Sequence, residues 1–188
     1  MINNGSVICQ ETTAGHTTLA ISLTASTVIY MIGAGRLHEA QRLNQQAMQL
    51  AVQPDELVLP IVGWPSLFQG EILREWNELD TARSLVEEVI FLCQQTESLA
   101  SLAFSLWGYD ILLRVFLSRG ELDAAHSALQ QIEHIGSSMN QPLYASMRSF
   151  LTTIDQVRLW LACGDLKQAI RWTKDLDIGE WTNHCWSP

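Results

Sequence analysis

The sequence predicts an all-α chain, an α-solenoid of about four helix–turn–helix repeats with a period of 42–44 residues. Three observations predict it. A Gly-x-Leu-x-x-Ala motif recurs at near-constant spacing, apolar residues at helical intervals follow each copy, and Val, Ile and Thr never form a run of short alternating strands.

The motif reads Gly35-Arg36-Leu37-His38-Glu39-Ala40, then Asn77-Glu78-Leu79-Asp80-Thr81-Ala82. It recurs as Gly120-Glu121-Leu122-Asp123-Ala124-Ala125 and Gly164-Asp165-Leu166-Lys167-Gln168-Ala169. Its first position must end a helix in the left-handed conformation, which costs Gly nothing and Asn little, so Asn77 keeps the chemistry of the motif. The acidic residue that follows in three copies suits the positive end of the next helix. The Leu is expected to start the buried face of that helix, and the Ala to let two helices approach closely.

Counting from each Ala, offsets +3, +7 and +10 give Leu43, Ala47 and Leu50, then Leu85, Val89 and Leu92, then Ala128, Ile132 and Ile135. The fourth copy gives Trp172 and Leu176. This is the stripe of an amphipathic helix. Four residues before each turn stands a large apolar residue: Met31, Leu73, Phe116 and Trp160. Each unit is therefore an apolar helix A, a turn and an amphipathic helix B. The expected spans are 17–33 and 36–52, 58–75 and 79–95, 98–118 and 121–136, 142–162 and 165–176. The units run 17–53, 54–96, 97–137 and 138–178, with residues 1–16 an extension expected to be disordered and 179–188 a tail. Pro60 and Pro65 conflict with the second A helix, which is expected to begin near Pro65 or to kink there.

Composition narrows function. Hydrophobic residues make up 47% and charged residues 16%, which excludes a disordered chain. The formal charge of -9 has the wrong sign for phosphate neutralisation, and the basic residues are scattered, so direct nucleic-acid binding is not expected. Cys9, Cys93, Cys163 and Cys185 form no C-x-x-C pair, and Cys93 and Cys163 fall in apolar helical stretches. A reduced, cytoplasmic setting follows. The apolar run from Leu19 to Ala34 lacks the preceding Lys or Arg of a signal peptide and the length of a membrane span, and reads as a buried helix.

Sites are sparse. His126 and His134 share a helix face but stand about 12 Å apart by helix rise, too far to share a metal ion. Glu87-Glu88 and Asp175/Asp177 lack any nucleophile or companion motif, so no catalysis, cofactor or metal is expected. Trp76, Trp160 and Trp172 sit in the repeat and fill helix–helix layers. Trp107 and Tyr109, with Arg114 further along the third A helix, are the candidate residues for a ligand or peptide on the concave face, against the simpler reading that they are core.

Two strings carry a family resemblance. Gly70-Glu71-Ile72-Leu73-Arg74-Glu75-Trp76-Asn77-Glu78-Leu79-Asp80-Thr81-Ala82 and Val157-Arg158-Leu159-Trp160-Leu161-Ala162-Cys163-Gly164-Asp165-Leu166-Lys167-Gln168-Ala169-Ile170-Arg171-Trp172 resemble segments of MalT-like regulators. These are ATP-dependent transcription regulators of the LuxR family, and the strings match their tetratricopeptide-like (TPR) region. The resemblance covers roughly residues 25–178. It implies a right-handed superhelix that senses a protein partner or small effector between an N-terminal P-loop ATPase and a C-terminal helix-turn-helix domain. The chain departs from the full pattern: it has no G-x-x-x-x-G-K-[ST], His16 standing where the lysine would fall, and no DNA-reading module after Trp172. It therefore reads as an excised sensor region or a truncated gene product, with neighbouring regulator domains as partners if part of a longer chain. The alternative is a TPR adaptor unrelated to transcription. The uncapped last helix predicts an apolar patch near Trp160, Trp172 and Trp181, and self-association.

Overall fold

A computed structural model of the chain describes residues 19–21, 23–51, 59–96, 98–139 and 142–175. Eight helices and no strand appear among them. They are α1 (Leu19–Gly33), α2 (Leu37–Ala51), α3 (Leu59–Glu75), α4 (Leu79–Gln94), α5 (Leu99–Arg119), α6 (Leu122–Ser138), α7 (Pro142–Ala162) and α8 (Leu166–Asp175). Odd-numbered helices are the A helices and even-numbered ones the B helices. The N-terminal extension and the tail with Trp181 lie outside the described residues.

The four A-to-B turns are copies of one another. Gly35, Asn77, Gly120 and Gly164 have φ of 73°, 63°, 72° and 77°, and Asn77 is the one non-glycine with positive φ among the described residues. The amide of the next residue, Arg36, Glu78, Glu121 or Asp165, donates back to the carbonyl of Met31, Leu73, Phe116 or Trp160. The turn residue's own amide donates to Ile32, Arg74, Leu117 or Leu161. These are Schellman closures, which satisfy the last carbonyls of helix A. The carbonyls of Arg36, Glu78, Glu121 and Asp165 then accept from Ala40, Ala82, Ala125 and Ala169, opening helix B one residue after the turn.

Those four alanines are the most consistently buried positions of the repeat, at 0%, 0%, 0% and 6% exposure. The leucines of the motif are not at the centre of the face. Leu37 and Leu79 are half-buried, while Leu122 is 36% and Leu166 57% exposed. Leu50 and Leu92 are exposed as well. At about 100° per residue, offsets −3, +3 and +10 lie roughly 60–80° from the Ala, whereas +4, +7 and +11 lie within about 40°. The buried stripe is accordingly Ala40, Asn44, Ala47, then Ala82, Val86, Val89 and Cys93, then Ala125, Leu129, Ile132 and Gly136, with Ile90 and the expected Ala128 buried at its margin. Cys163 lies beyond the end of α7 and is exposed, so it is not a core hydrophobe.

One main core joins α3 through α7, and a smaller one joins α1, α2 and α3 through Ala25, Val28, Ala40, Phe68 and Ile72. Helix α4 is wedged against two glycines. A Cβ on Gly70 would stand 2.5 Å from Val86 Cγ2, and one on Gly108 would stand 2.7 Å from Ile90 Cγ1. Helix α3 does not begin near Pro65. It starts at Leu59, so Pro60 falls in the first turn, where the missing amide costs little. Pro65 lies within the helix, where buried Asn44 donates 2.8 Å to its carbonyl.

From α2 to α8 consecutive helices pack on one another, and α3 packs on α5 and α5 on α7. No B helix packs on the next B helix in α2 through α8. The stack is thus tighter along its A edge. Helix α5 is long and apolar enough to cross a membrane by length and composition, but 67% of that stretch is buried by its neighbours. At the far end Leu161, Leu166 and Ile170 are exposed, with Trp160 and Trp172 half-buried.

Candidate functional site

A groove of about 500 Å³ runs across the A helices. Ile29 and Ile32 of α1, Trp64 and Phe68 of α3, Trp107 and Ile111 of α5, and Phe150 and Ile154 of α7 supply its apolar lining. The helical repeat places these side chains in pairs three or four residues apart, on one face of each helix. Trp64 organises the aromatic part. It stacks on Phe68 at 5.6 Å and meets Phe104 and Trp107 edge-on at 5.0 and 5.9 Å. These are the spacings at which aromatic quadrupoles attract.

One end of the groove is charged. Arg114 donates from Nη2 to Asp110 Oδ2 at 2.6 Å and from Nη1 to Glu71 Oε1 at 2.5 Å, tying α5 to α3. Arg74 reaches both Glu71 oxygens, at 3.0 and 3.2 Å, and also pairs with Glu75. Arg158 of α7 donates from one nitrogen to Asp155 at 2.6 Å and to Asp110 at 3.1 Å. Burial alone would push the Glu71 carboxyl up, but the Arg114 and Arg74 guanidiniums outweigh it and hold it below the usual carboxylate range. Burial likewise opposes the charge on Arg114, and Asp110 and Glu71 overcome it, so that its pKa is raised. Asp155 goes the other way. Burial, then the charge of Asp110, push it up to about 8 against the pull of Arg158.

The description of the MalT-like TPR region matches residues 7–185. The chain belongs to that family. It is 25% identical over 142 residues to the HTH-type transcriptional regulator MalT of Vibrio campbellii, an alignment covering 76% of this chain and 15% of that protein. The regulator of the same name from Vibrio parahaemolyticus serotype O3:K6 matches with the same identity and coverage. The chain thus spans 15% of the length of these curated relatives. No solved structure matches it.

Within this MalT-like repeat, Trp107 and Arg114 line the A-helix groove and Tyr109 does not. Two residues along a helix turn the side chain by about 200°, so Tyr109 points to the opposite side of α5 from Trp107. There it lines a second groove of about 580 Å³, with Cys93, Ser105, Gln131 and His134 among its neighbours. Burial pushes its phenol up. His126 and His134 are both exposed, and no group of three His, Cys, Asp or Glu residues disposed to hold a metal occurs among the described residues. Trp76 is half-buried, packing on the α1–α3 core with its ring 5.4 Å from that of His38.

Sequence reasoning passed over Glu71, Asp110, Asp155 and Arg158. The available signal was Asp110 itself, an acid in the middle of an otherwise apolar 21-residue helix with Arg114 four residues on. A lone carboxylate in such a setting is buried with a partner or not buried at all. Asp155 and Arg158, three apart on α7, repeat the pattern.

Proposed function

We propose that this MalT-like TPR region is a non-catalytic sensor module of a LuxR-type transcription regulator, and that the groove across α1, α3, α5 and α7 receives its effector. The observation that carries this reading is the groove itself. Its volume falls in the range of small-molecule sites, and it joins an aromatic, apolar body to a few charged groups at one end. A protein partner would ask for a broader face, since a stable interface covers about 800 Å² on each side.

The placement suits signalling. The packing of α3 on α5 and of α5 on α7 supports the reading that the groove is on the inner, concave side of the stack, and four helices from four units contribute to it. An occupant that prefers one spacing of those helices shifts the population of stack conformations and so the contacts offered to flanking ATPase and DNA-binding domains of the full regulator. The chain's own charge of -9 leaves the DNA contact to those other domains. A cytoplasmic location, and self-association through Leu161, Leu166 and Ile170, belong to the same reading.

The test is thermal unfolding of the chain against a panel of small metabolites, with Trp107→Ala as control. A compound at 100 times its Kd adds about 2.7 kcal/mol, or about 5–11 °C at this size. The shift should vanish in Trp107→Ala while circular dichroism still reports a helical fold. A panel that stabilises both proteins equally places the effector elsewhere.

A further inference from the structure

Asp110 and Asp155 meet across the α5–α7 contact, with side chains 3% and 0% exposed. Three of their four carboxyl oxygens accept from a guanidinium, and two of those three share a single nitrogen, Nη1 of Arg158. The fourth, Asp155 Oδ2, is buried and has no hydrogen-bond partner among the described residues. A buried acceptor without a donor is costly, and two carboxylates this close repel. The surrounding charges add to the imbalance. The carboxylates Glu71, Glu75, Asp110 and Asp155 stand against the guanidiniums of Arg74, Arg114 and Arg158.

We propose that Asp110 and Asp155 are a buried proton-binding site, holding one proton between them as a carboxyl–carboxylate pair that fastens α7 to α5 along the wall of the groove. The proton turns the orphaned oxygen of Asp155 from acceptor into donor, and Asp110, which shares Nη1 of Arg158 with Asp155 at 3.1 and 2.6 Å, is the neighbouring carboxylate that would accept it. It also removes the excess negative charge. The groups that touch the pair are Arg114 from α5 and Arg158 from α7 itself; Glu71 of α3 is joined to it through Arg114, and Arg74 and Glu75 of α3 follow behind Glu71. On the other helices packed against α7, the charged and titratable residues Asp123, His126, Glu133 and His134 of α6 and Lys167 and Arg171 of α8 are exposed. The site follows from the helix packing and stands whether or not the groove takes an effector.

The sign of the pH effect follows from the upward shift of Asp155. A folded-state value above the unfolded one gives stability that is fully present at low pH and lost as pH rises through the folded value, here about 8. Between about pH 6 and pH 9 the 188-residue chain should lose about 5–10 °C of Tm. Asp155→Asn keeps a side-chain N–H for Asp110 and cannot ionise, so its Tm should stay flat over that range. Parallel profiles for the two proteins would overturn the proposal. Should the variant fail to fold, carboxyl-carbon NMR of the unsubstituted chain decides alone. Its Asp155 resonance should remain that of a neutral acid at about pH 6.5, and a transition near the ordinary value of about 4 sinks the idea.

Discussion

Helix α4 lies so close to α3 at Gly70 that the sign of a one-methyl substitution should depend on a second residue. The Cβ of Gly70→Ala would stand 2.5 Å from Val86 Cγ2, on a β-branched side chain at 0% exposure with nowhere to rotate. Relieving that clash by moving α4 costs about 1–3 kcal/mol, as overpacked cores do. Against it, replacing Gly by Ala in a helix interior gains about 1 kcal/mol. Gly70→Ala alone should therefore destabilise the chain by about 0–2 kcal/mol.

In a Val86→Ala background the arithmetic reverses. That substitution deletes Cγ2, and the nearest remaining atoms, the Ala82 carbonyl oxygen and the Cβ at position 86, lie at 3.8 and 4.0 Å, ordinary contact. The added methyl then fills part of the cavity that Val86→Ala opens, and Gly70→Ala becomes stabilising by about 1 kcal/mol. The assay is urea unfolding of the four proteins of the cycle, followed by circular dichroism at constant m. The coupling should be about 1–3 kcal/mol. If Gly70→Ala has the same effect in both backgrounds to within about 0.5 kcal/mol, the close approach of α3 and α4 is not real.

Removing one partner from the charged end of the groove strands the others, so Arg114→Met should cost about 3–5 kcal/mol in urea unfolding, since it leaves Glu71 and Asp110 buried with fewer donors. It should also weaken the acid limb of the stability profile. A carboxyl held low, as Glu71 is, contributes stability above its unfolded value that is lost as pH falls through its folded one. A cost under about 1 kcal/mol would mean the network is solvated. On α6, Leu129→Ala should cost about 2–5 kcal/mol and Leu122→Ala under about 1, because Leu129 is 2% and Leu122 36% exposed. Equal losses would restore the leucine of the motif to the centre of the buried face.

The turns are legible in the sequence because their chemistry is local. A left-handed residue closing a Schellman loop needs Gly or Asn at one position, and the requirement shows at 35, 77, 120 and 164 without knowledge of any other unit. The B helices are nearly as legible, since one face is solvated, yet their leucines mislead. Leu37, Leu79, Leu122 and Leu166 are the largest apolar residues of the motif, and size suggests depth. Close packing instead places the small Ala40, Ala82, Ala125 and Ala169 where the helices touch and leaves the leucine at the seam. The charged end of the groove is not legible in the same way. Glu71, Asp110 and Asp155 lie on three helices 39 and 45 residues apart in sequence, and only the register of one A helix on the next brings them together.

Helix α5 shows why periodicity fails where function is expected. It packs against α3, α4, α6 and α7, so it is apolar around most of its circumference and offers no polar face by which to orient it. Gly108 accepts Ile90 of α4, while Asp110, two residues on, turns to meet Arg158 of α7. One rigid helix thereby carries the contact that sets the position of a B helix and the contact that sets the wall of the groove. A change of charge or occupancy at the groove end of α5 cannot move Asp110 without also moving Gly108, because close-packed helices shift as units rather than residue by residue. With Trp107 on one groove and Tyr109 on the other, α5 is the helix that contributes side chains to both.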